Sequence, residues 1–187
     1  MNQLERIRRR QLLLEAEGYL ELLMLFDDDL GPSIENRRLM AHRALSLLDT
    51  LPEQSRHISA AEHLRGQAFR AMEEYASAIE PLTAAAAAEP ENIHIWLGLG
   101  WCQKRLRRLD LAIEALESAL EAKPDVAILH YNLSCYLSLA GQKSYALREL
   151  ARALELDADY RELVHKEHDF DPLRNDPEFR QLTAVLV

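Results

Sequence analysis

The chain of 187 residues has few of the features that mark secreted or membrane-spanning proteins. Its two cysteines, Cys102 and Cys135, are too few for a disulfide framework. Six glycines and seven prolines are spread thinly, which excludes a long linker or a low-complexity tail. The apolar stretch 12–26 is too short and too charged to span a bilayer, and no signal-peptide cleavage pattern follows it. We therefore expect a cytoplasmic protein that does not insert into membranes.

The sequence also lacks the motifs of the common catalytic and metal centres. It has no phosphate-binding glycine loop, no nucleophile elbow and no zinc-protease motif. His165 and His168 lie close to several acidic residues, but a solvated acidic surface explains this cluster without a bound ion. We expect a protein that is not an enzyme and that holds no metal and no cofactor.

Positive charge is in the minority. The chain has 22 basic and 31 acidic residues, which gives a formal net charge of −9 at pH 7. An acidic chain of this kind argues against general binding to nucleic acid. The hydrophobic fraction of 48% is large enough for a folded core and excludes a disordered chain.

What the sequence does contain is an internal repeat. Pro90 and Pro124 each follow a helical pattern and lie 34 residues apart. The same spacing aligns three consecutive units, 59–92, 93–126 and 127–160. Five columns recur in these units: Gly66, Gly100 and Ser134; Ala78, Ala112 and Ala146; Leu82, Leu116 and Leu150; Ala85, Ala119 and Ala153; Pro90, Pro124 and Ala158. Five aligned columns over three units indicate a repeat array.

Each unit reads as two amphipathic helices joined by a short break. Apolar residues in 93–106 and in 109–122 recur at spacings of three and four, the pattern of a helix with one buried face. Because the break between them is short, the two helices are expected to form an antiparallel hairpin. Small residues in the Gly66 column, facing the Ala78 column, would let the two helices approach closely.

The predicted organisation has three parts. Residues 1–52 form an N-terminal helical hairpin, 53–160 hold the three repeats, and 161–187 form capping helices that cover the last repeat. Ser33 and Asp176 are the expected N-caps of helices near the two ends of the chain. The apolar face of the C-terminal part consists of Phe170, Leu173, Phe179, Leu182 and Leu186.

The N-terminal helix, residues 3–26, leaves two interpretations open. It is apolar on more than one side, so we expect two partners to bury it. In the first interpretation it packs on the helix 34–51 and on the first repeat. In the second it forms a homodimer contact through Leu13, Leu20 and Met24.

The second unit resembles the tetratricopeptide repeat. The pattern W-x2-L-G, then A-x3-L-x2-A, then P, is carried by Trp96, Leu99, Gly100, Ala112, Leu116, Ala119 and Pro124. The resemblance extends over all three units. It implies an all-α, right-handed solenoid of antiparallel helix hairpins, with the first helix of each unit lining the concave side. Two departures from the family pattern, Glu62 and His130, stand in the column of Trp96.

The resemblance also implies which residues face the concave groove. They lie on the first helices of the three units: His63, Gln67 and Arg70; His94, Leu97, Trp101, Lys104 and Arg105; Tyr131, Asn132 and Cys135. This set is basic and aromatic and includes no carboxylate, and Cys135 is expected to be exposed in it. Such a groove suits a peptide or partner segment with acidic and apolar residues, which Trp101 and Tyr131 would anchor.

We therefore predict a non-catalytic protein-interaction module, an adaptor or scaffold. The alternative is a small chaperone, because the size, the acidity and the apolar N-terminal helix are similar to those of the class II chaperones of bacterial secretion systems. A pull-down distinguishes the two, since an adaptor recovers a folded assembly and a secretion chaperone recovers an unfolded substrate.

Overall fold

The structure, a computed structural model, describes residues 3–24 and 33–184, and every regular element in these ranges is a helix. The prediction of an all-α protein is confirmed. The elements are α1 (Gln3–Met24), α2 (Ile34–Asp49), α3 (Glu53–Arg56), α4 (Ser59–Ala71), α5 (Tyr75–Ala88), α6 (Ile93–Arg105), α7 (Leu109–Ala122), α8 (Ala127–Leu139), α9 (Lys143–Leu156), α10 (Tyr160–Val164), a 3-10 helix (His168–Leu173) and α11 (Pro177–Thr183). None of these helices is both long enough and apolar enough to cross a membrane.

The helices recur at the spacing of the sequence repeat. The first helices of the three units begin at Ser59, Ile93 and Ala127, and the second helices begin at Tyr75, Leu109 and Lys143. Each step is 34 residues, so the hairpins predicted from the apolar spacing are present. The chain forms two compact units, Met1–Glu89 and Pro90–Val187, called here the N-terminal and the C-terminal unit. The domain boundaries at residues 52 and 160 stay predictions.

The two helices of each hairpin are joined by a tight turn that contains one left-handed residue. Glu73, Arg107 and Gly141 have φ angles of 64°, 62° and 72° and lie at the repeat spacing. In the second unit the amide of Arg108 donates to the carbonyl of Gln103 at 3.0 Å, which satisfies a carbonyl at the end of α6. Since only Gly141 lacks a Cβ, the left-handed turns at Glu73 and Arg107 each cost about 1 kcal/mol.

In the N-terminal unit α1 packs on α2 and on α4. Ala16 and Leu20 are buried in the core of this unit, and Leu13 packs against the same core. The interpretation in which α1 packs within its own chain is therefore confirmed for this face. Leu20 is buried by this intramolecular packing, whereas Leu13 is only partly buried, and the homodimer contact through Leu13, Leu20 and Met24 stays a prediction. The side chain of Met24 and residues 25–32 lie outside the described residues.

Both expected N-caps are present. The hydroxyl of Ser33 accepts the amide of Asn36 at 3.3 Å at the start of α2. The carboxylate of Asp176 accepts the amides of Glu178 and Phe179 at 2.9 and 3.3 Å at the start of α11. In each case a short polar side chain satisfies amides that have no partner inside the helix, which is why the sequence pattern identified them.

The histidine in the Trp96 column makes the same contact as the tryptophan. The indole Nε1 of Trp96 donates to the carbonyl of Pro90 at 2.8 Å. One repeat later, Nε2 of His130 lies 2.8 Å from the carbonyl oxygen of Pro124 and donates to it. An imidazole therefore replaces the indole at this position without leaving the carbonyl unsatisfied.

The glycine column brings the helices together through two different neighbours. A Cβ on Gly100 would lie 3.4 Å from the carbonyl oxygen of Ala112, which belongs to the predicted alanine column. A Cβ on Gly66 would lie only 2.4 Å from Cγ of Leu82, a fully buried side chain of α5. The alanine column is thus a neighbour of Gly100, whereas the leucine column is the nearest neighbour of Gly66.

This difference predicts unequal effects of the same substitution. We expect Gly66→Ala to lower the free energy of unfolding by about 1–3 kcal/mol, because the new methyl group would overlap the buried Leu82. Gly100→Ala should change it by less than about 1 kcal/mol, because a methyl group fits there and alanine favours the helix. Urea unfolding followed by circular dichroism measures both, and equal losses in the two variants would contradict the assignment.

In the C-terminal unit the described helices after α9 pack on α8 and α9. Helix α8 packs on α7, on α9 and on the 3-10 helix. Val164 of α10, Phe170 of the 3-10 helix and Phe179 of α11 are all buried in one core with the side chains of α8 and α9. The segment after residue 160 therefore supplies much of this core, and Leu186 lies outside the described residues.

Candidate protein-interaction surface

The predicted site residues of the first repeat lie on α4 in the N-terminal unit. His63, Gln67 and Arg70 follow at spacings of four and three residues, so they share one face of the helix. Nε2 of Gln67 lies 3.0 Å from Nε2 of His63, and all three side chains are half-buried. Their part in binding stays a prediction.

The predicted residues of the second repeat form a continuous stripe on α6. His94, Leu97, Trp101 and Lys104 recur at spacings of three and four, and Arg105 lies beside them. Trp101 is 38% exposed. Nζ of Lys104 lies 5.3 Å and Cζ of Arg105 lies 5.8 Å from the centroid of its ring. Cations are attracted to the face of an indole, which explains why both side chains lie near this ring. The C-terminal end of α6 therefore presents one exposed aromatic ring with a positive charge on either side.

The predicted residues of the third repeat are mostly covered. Tyr131 is 6% and Cys135 2% exposed, and the side chain of Asn132 donates to a carbonyl of its own helix at 2.8 Å. The ring of Tyr131 lies 4.8 Å from that of Tyr160 and 5.8 Å from that of Phe170. The expectation that Cys135 is exposed is wrong, and Tyr131 is not open to a ligand in this structure. The physical reason is that the segment after α9 packs over this face of α8.

The 3-10 helix also brings carboxylates to the stripe on α6. The ammonium group of Lys104 forms an ion pair with the carboxylate of Asp169, 65 residues further along the chain. Glu167 accepts the amide of Asp169 at 3.1 Å. The expectation of a surface without carboxylates is therefore corrected. It considered only the first helices of the repeats, and the acidic groups arrive from a distant segment.

Burial governs the protonation of this acidic cluster. It raises the pKa of Asp169 above the ordinary value of a carboxyl group, although the Lys104 ammonium opposes the shift. Burial also raises the pKa of the Cys135 thiol, and the neighbouring carboxylates of Glu167 and Asp169 raise it further. Cys135 is therefore a neutral thiol of low reactivity at physiological pH.

Cys135, Glu167 and Asp169 are close enough to one another to bind a single cation. One ligand atom each of Cys135, Glu167 and Asp169 lies within 4.8 Å of the others. The ammonium group of Lys104, however, already pairs with the carboxylate of Asp169. The arrangement is explained by the internal ion pair without a metal ion.

A pocket of about 470 Å³ opens where α6 ends, α7 begins and α8 ends. Its lining consists of Lys104, Arg105, Arg107, Leu109, Leu139 and Asp169. Three cations outnumber one carboxylate, so the pocket is positively charged, and two leucines give it apolar walls. Sequence reasoning missed Arg107 and Leu109 because it considered only first-helix positions. The signal for Arg107 was its place in the turn column, which sets it next to the cationic end of α6.

Comparisons with known proteins agree with the observed hairpins. Residues 63–127 match the tetratricopeptide repeat family, and no curated protein sequence matches the chain. A MamA structure from Desulfovibrio magneticus RS-1 is 19% identical with a TM-score of 0.58, and the alignment covers 83% of this chain and 94% of that one. MamA AMB-1 is 21% identical with a TM-score of 0.59, covering 82% and 92% of the two chains. MamA MSR-1 is 20% identical with a TM-score of 0.58, covering 84% and 99%.

At these identities the likeness to MamA concerns the fold. The family match runs from α4 to the start of α8 and therefore covers most of the first two of the three units with the 34-residue step. The repeated columns, the hairpins and the matched fold all agree. Members of the family typically serve as non-catalytic modules that bind other proteins. Residues 63–127 therefore match the tetratricopeptide repeat, and the fold of the chain is similar to that of MamA.

Proposed function

We propose that the chain is a protein-interaction scaffold whose C-terminal unit binds an acidic and apolar segment of a partner protein. The binding residues form what we call the cationic surface: Trp101, Lys104, Arg105, Arg107, Leu109 and Leu139. The observation that carries the proposal is the ion pair between Lys104 and Asp169. The carboxylate of Asp169 already binds one cation of this surface, Lys104. Two further cations, Arg105 and Arg107, line the same pocket.

The residue types of the cationic surface suit this ligand. Arginine binds carboxylates through two parallel hydrogen bonds, and Arg105 and Arg107 are both exposed on the pocket. Exposed aromatic residues supply much of the binding energy of protein interfaces, and Trp101 is the exposed aromatic of α6. Leu109 and Leu139 add apolar area beside the charges. A partner segment that alternates acidic and apolar residues would match both features.

The chain's own 3-10 helix supports this choice of ligand. Within it, Asp169 pairs with Lys104, and the next residue, Phe170, packs edge-on against Tyr131 at 5.8 Å. An acidic residue followed by an aromatic one is therefore accommodated by α6 and α8 in this structure. The covered face of α8 contacts an acidic and aromatic segment of the chain itself. The exposed cationic surface suits a partner segment with the same kinds of residue.

A labelled peptide tests the proposal. We expect a fluorescein-labelled peptide with the sequence of residues 167–173 to bind the full chain, as measured by fluorescence anisotropy. Trp101→Ala should weaken this binding at least about tenfold, because it removes the aromatic anchor. Tyr145→Ala is the matched control: Tyr145 is 53% exposed on α9 with Arg148 over its ring at 5.0 Å, yet it lies outside the cationic surface.

A second variant tests the role of the ion pair in the opposite direction. Asp169→Asn should increase the affinity for the peptide about three- to tenfold, because it releases the Lys104 ammonium for the ligand. The same peptide with amides in place of its carboxylates should lose affinity. Equal binding of the acidic and amide peptides, or an equal loss in Trp101→Ala and Tyr145→Ala, would contradict the proposal.

The chaperone alternative makes a different prediction about the captured partner. A scaffold recovers a folded partner through a short segment, so the labelled peptide should compete fully for the partner. A secretion chaperone holds an unfolded chain over an extended surface, and one short peptide would compete only weakly. Competition by the peptide in a pull-down therefore separates the two functions.

A further inference from the structure

The outer face of α1 carries an exposed apolar stripe that no described part of the chain covers. Leu4 is 77%, Ile7 56%, Leu14 56% and Leu22 45% exposed. With Gln11 and Gly18, these positions follow one another at spacings of three and four along the whole helix. A stripe with this spacing is the seam by which two helices pair.

The stripe cannot turn inward within the unit. The opposite face of α1 is already packed, since Ala16 is 0% and Leu20 3% exposed in the core formed with α2 and α4. Rotating the helix to bury Leu14 would therefore expose these core residues. The apolar stripe remains available for a partner outside this unit.

The order of charges along α1 favours, as the partner, a second helix of the same kind that runs in the opposite direction. Residues 6–10 contain four arginines, and residues 15–21 contain three glutamates. The last turn of α1 has no basic residue. This order is the reverse of the one that the helix dipole favours, because cations are stabilised near the C-terminus and anions near the N-terminus. An antiparallel helix would place its acidic half beside the basic half of α1.

We propose that two copies of this chain associate through α1, with the two helices antiparallel. In this arrangement Arg8 of one copy faces Glu15 of the other on one flank of the stripe, and Arg10 faces Glu17 on the other flank. The apolar seam between the flanks pairs Leu4 with Leu22, Ile7 with Gly18, and Gln11 with Leu14. In a parallel pair the flanking contacts join a residue to one about five positions further along the partner, so only Arg10 would meet Glu15, and Arg8 and Glu17 would lose these partners.

Gly18 fits the close approach that this seam requires. A Cβ added at Gly18 would meet no atom within 4 Å, so its own unit does not demand a glycine there. In the middle of an exposed helix glycine costs about 1 kcal/mol relative to alanine. Opposite Ile7 of a second copy, the missing side chain leaves room for the isoleucine.

Sedimentation equilibrium of the full chain tests the proposal. We expect dimers at about 100 μM protein, and at least about tenfold weaker association for Leu14→Glu, because an exposed apolar residue of the seam becomes charged. Leu163→Glu is the matched control, since Leu163 is 50% exposed but lies on α10. The helix content of Leu14→Glu should be unchanged, because the side chain already lies in solvent in the monomer.

Exchanging the charges tests the direction of the helices. The pair Arg8→Glu and Arg10→Glu should weaken the dimer about tenfold or more, and adding Glu15→Arg and Glu17→Arg in the same chain should restore it. The direction follows from the rescuing position: Glu17→Arg should rescue Arg10→Glu in an antiparallel pair, whereas Glu15→Arg would rescue it in a parallel pair. A monomer at 100 μM, a dimer insensitive to Leu14→Glu, or four exchanges that fail to restore the dimer would each overturn the proposal. A stripe covered by another protein or by residues 25–32 would give the first of these results.

Discussion

Phe170→Ala is expected to lower the free energy of unfolding of the C-terminal unit by about 3–5 kcal/mol. Phe170 is fully buried, and its ring lies 5.8 Å from Tyr131 and 5.5 Å from Phe179. Removing it leaves a cavity at the point where the 3-10 helix, α8 and α11 meet. The two tryptophans of the chain, Trp96 and Trp101, both lie in this unit, so urea unfolding followed by tryptophan fluorescence reports its stability directly.

The same variant should uncover the covered part of α8. Without the phenyl ring, the 3-10 helix loses its anchor, and Cys135 beneath it should react with a thiol reagent at least about tenfold faster under native conditions. Cys102 is also buried but belongs to α6, and peptide mapping by mass spectrometry distinguishes the two. Tyr145→Ala, which removes an exposed ring, should change the stability by less than about 1 kcal/mol. An unchanged labelling rate at Cys135 would show that the segment is not held by Phe170.

The difference between the local and the distant features explains what the sequence could predict. The 34-residue step, the hairpins and the N-caps Ser33 and Asp176 depend on residues a few positions apart, and these were correct. The pairing of Lys104 with Asp169 joins residues 65 positions apart, and no local pattern indicates it. Because the groove prediction rested on first helices alone, it could not show that Tyr131 and Cys135 lie under another segment.

The sequence also could not predict which face of α1 turns toward the core, because this too depends on contacts with distant residues. Both faces of this helix carry leucines, so the apolar pattern gave no basis for choosing the face that turns inward. The structure buries Leu20 and exposes Leu14. That choice follows from the packing of α1 on α2 and α4, which is a tertiary contact that the sequence of α1 does not encode by itself.

His130→Trp is expected to destabilise the C-terminal unit by about 2–4 kcal/mol, although it restores the family residue of the Trp96 column. Nδ1 of His130 lies 2.7 Å from Oε2 of Glu149, and both residues are 8% exposed. An indole could still donate to the carbonyl of Pro124, as Trp96 does to Pro90. It would leave one carboxylate oxygen of Glu149 without its buried partner.

Adding Glu149→Ala to His130→Trp should recover the lost stability to within about 1 kcal/mol. Position 149 corresponds to Ala115 one repeat earlier, so the double variant reproduces the combination of Trp96 and Ala115 that the second unit already tolerates. Replacing both partners of a buried hydrogen bond by apolar groups is often neutral, whereas removing one partner is costly. Urea unfolding of both single variants and the double variant completes a double-mutant cycle. Additive losses would mean that His130 is retained for its contact with Pro124 alone. A strong coupling would mean that this repeat replaced an aromatic contact by a buried hydrogen bond between His130 and Glu149.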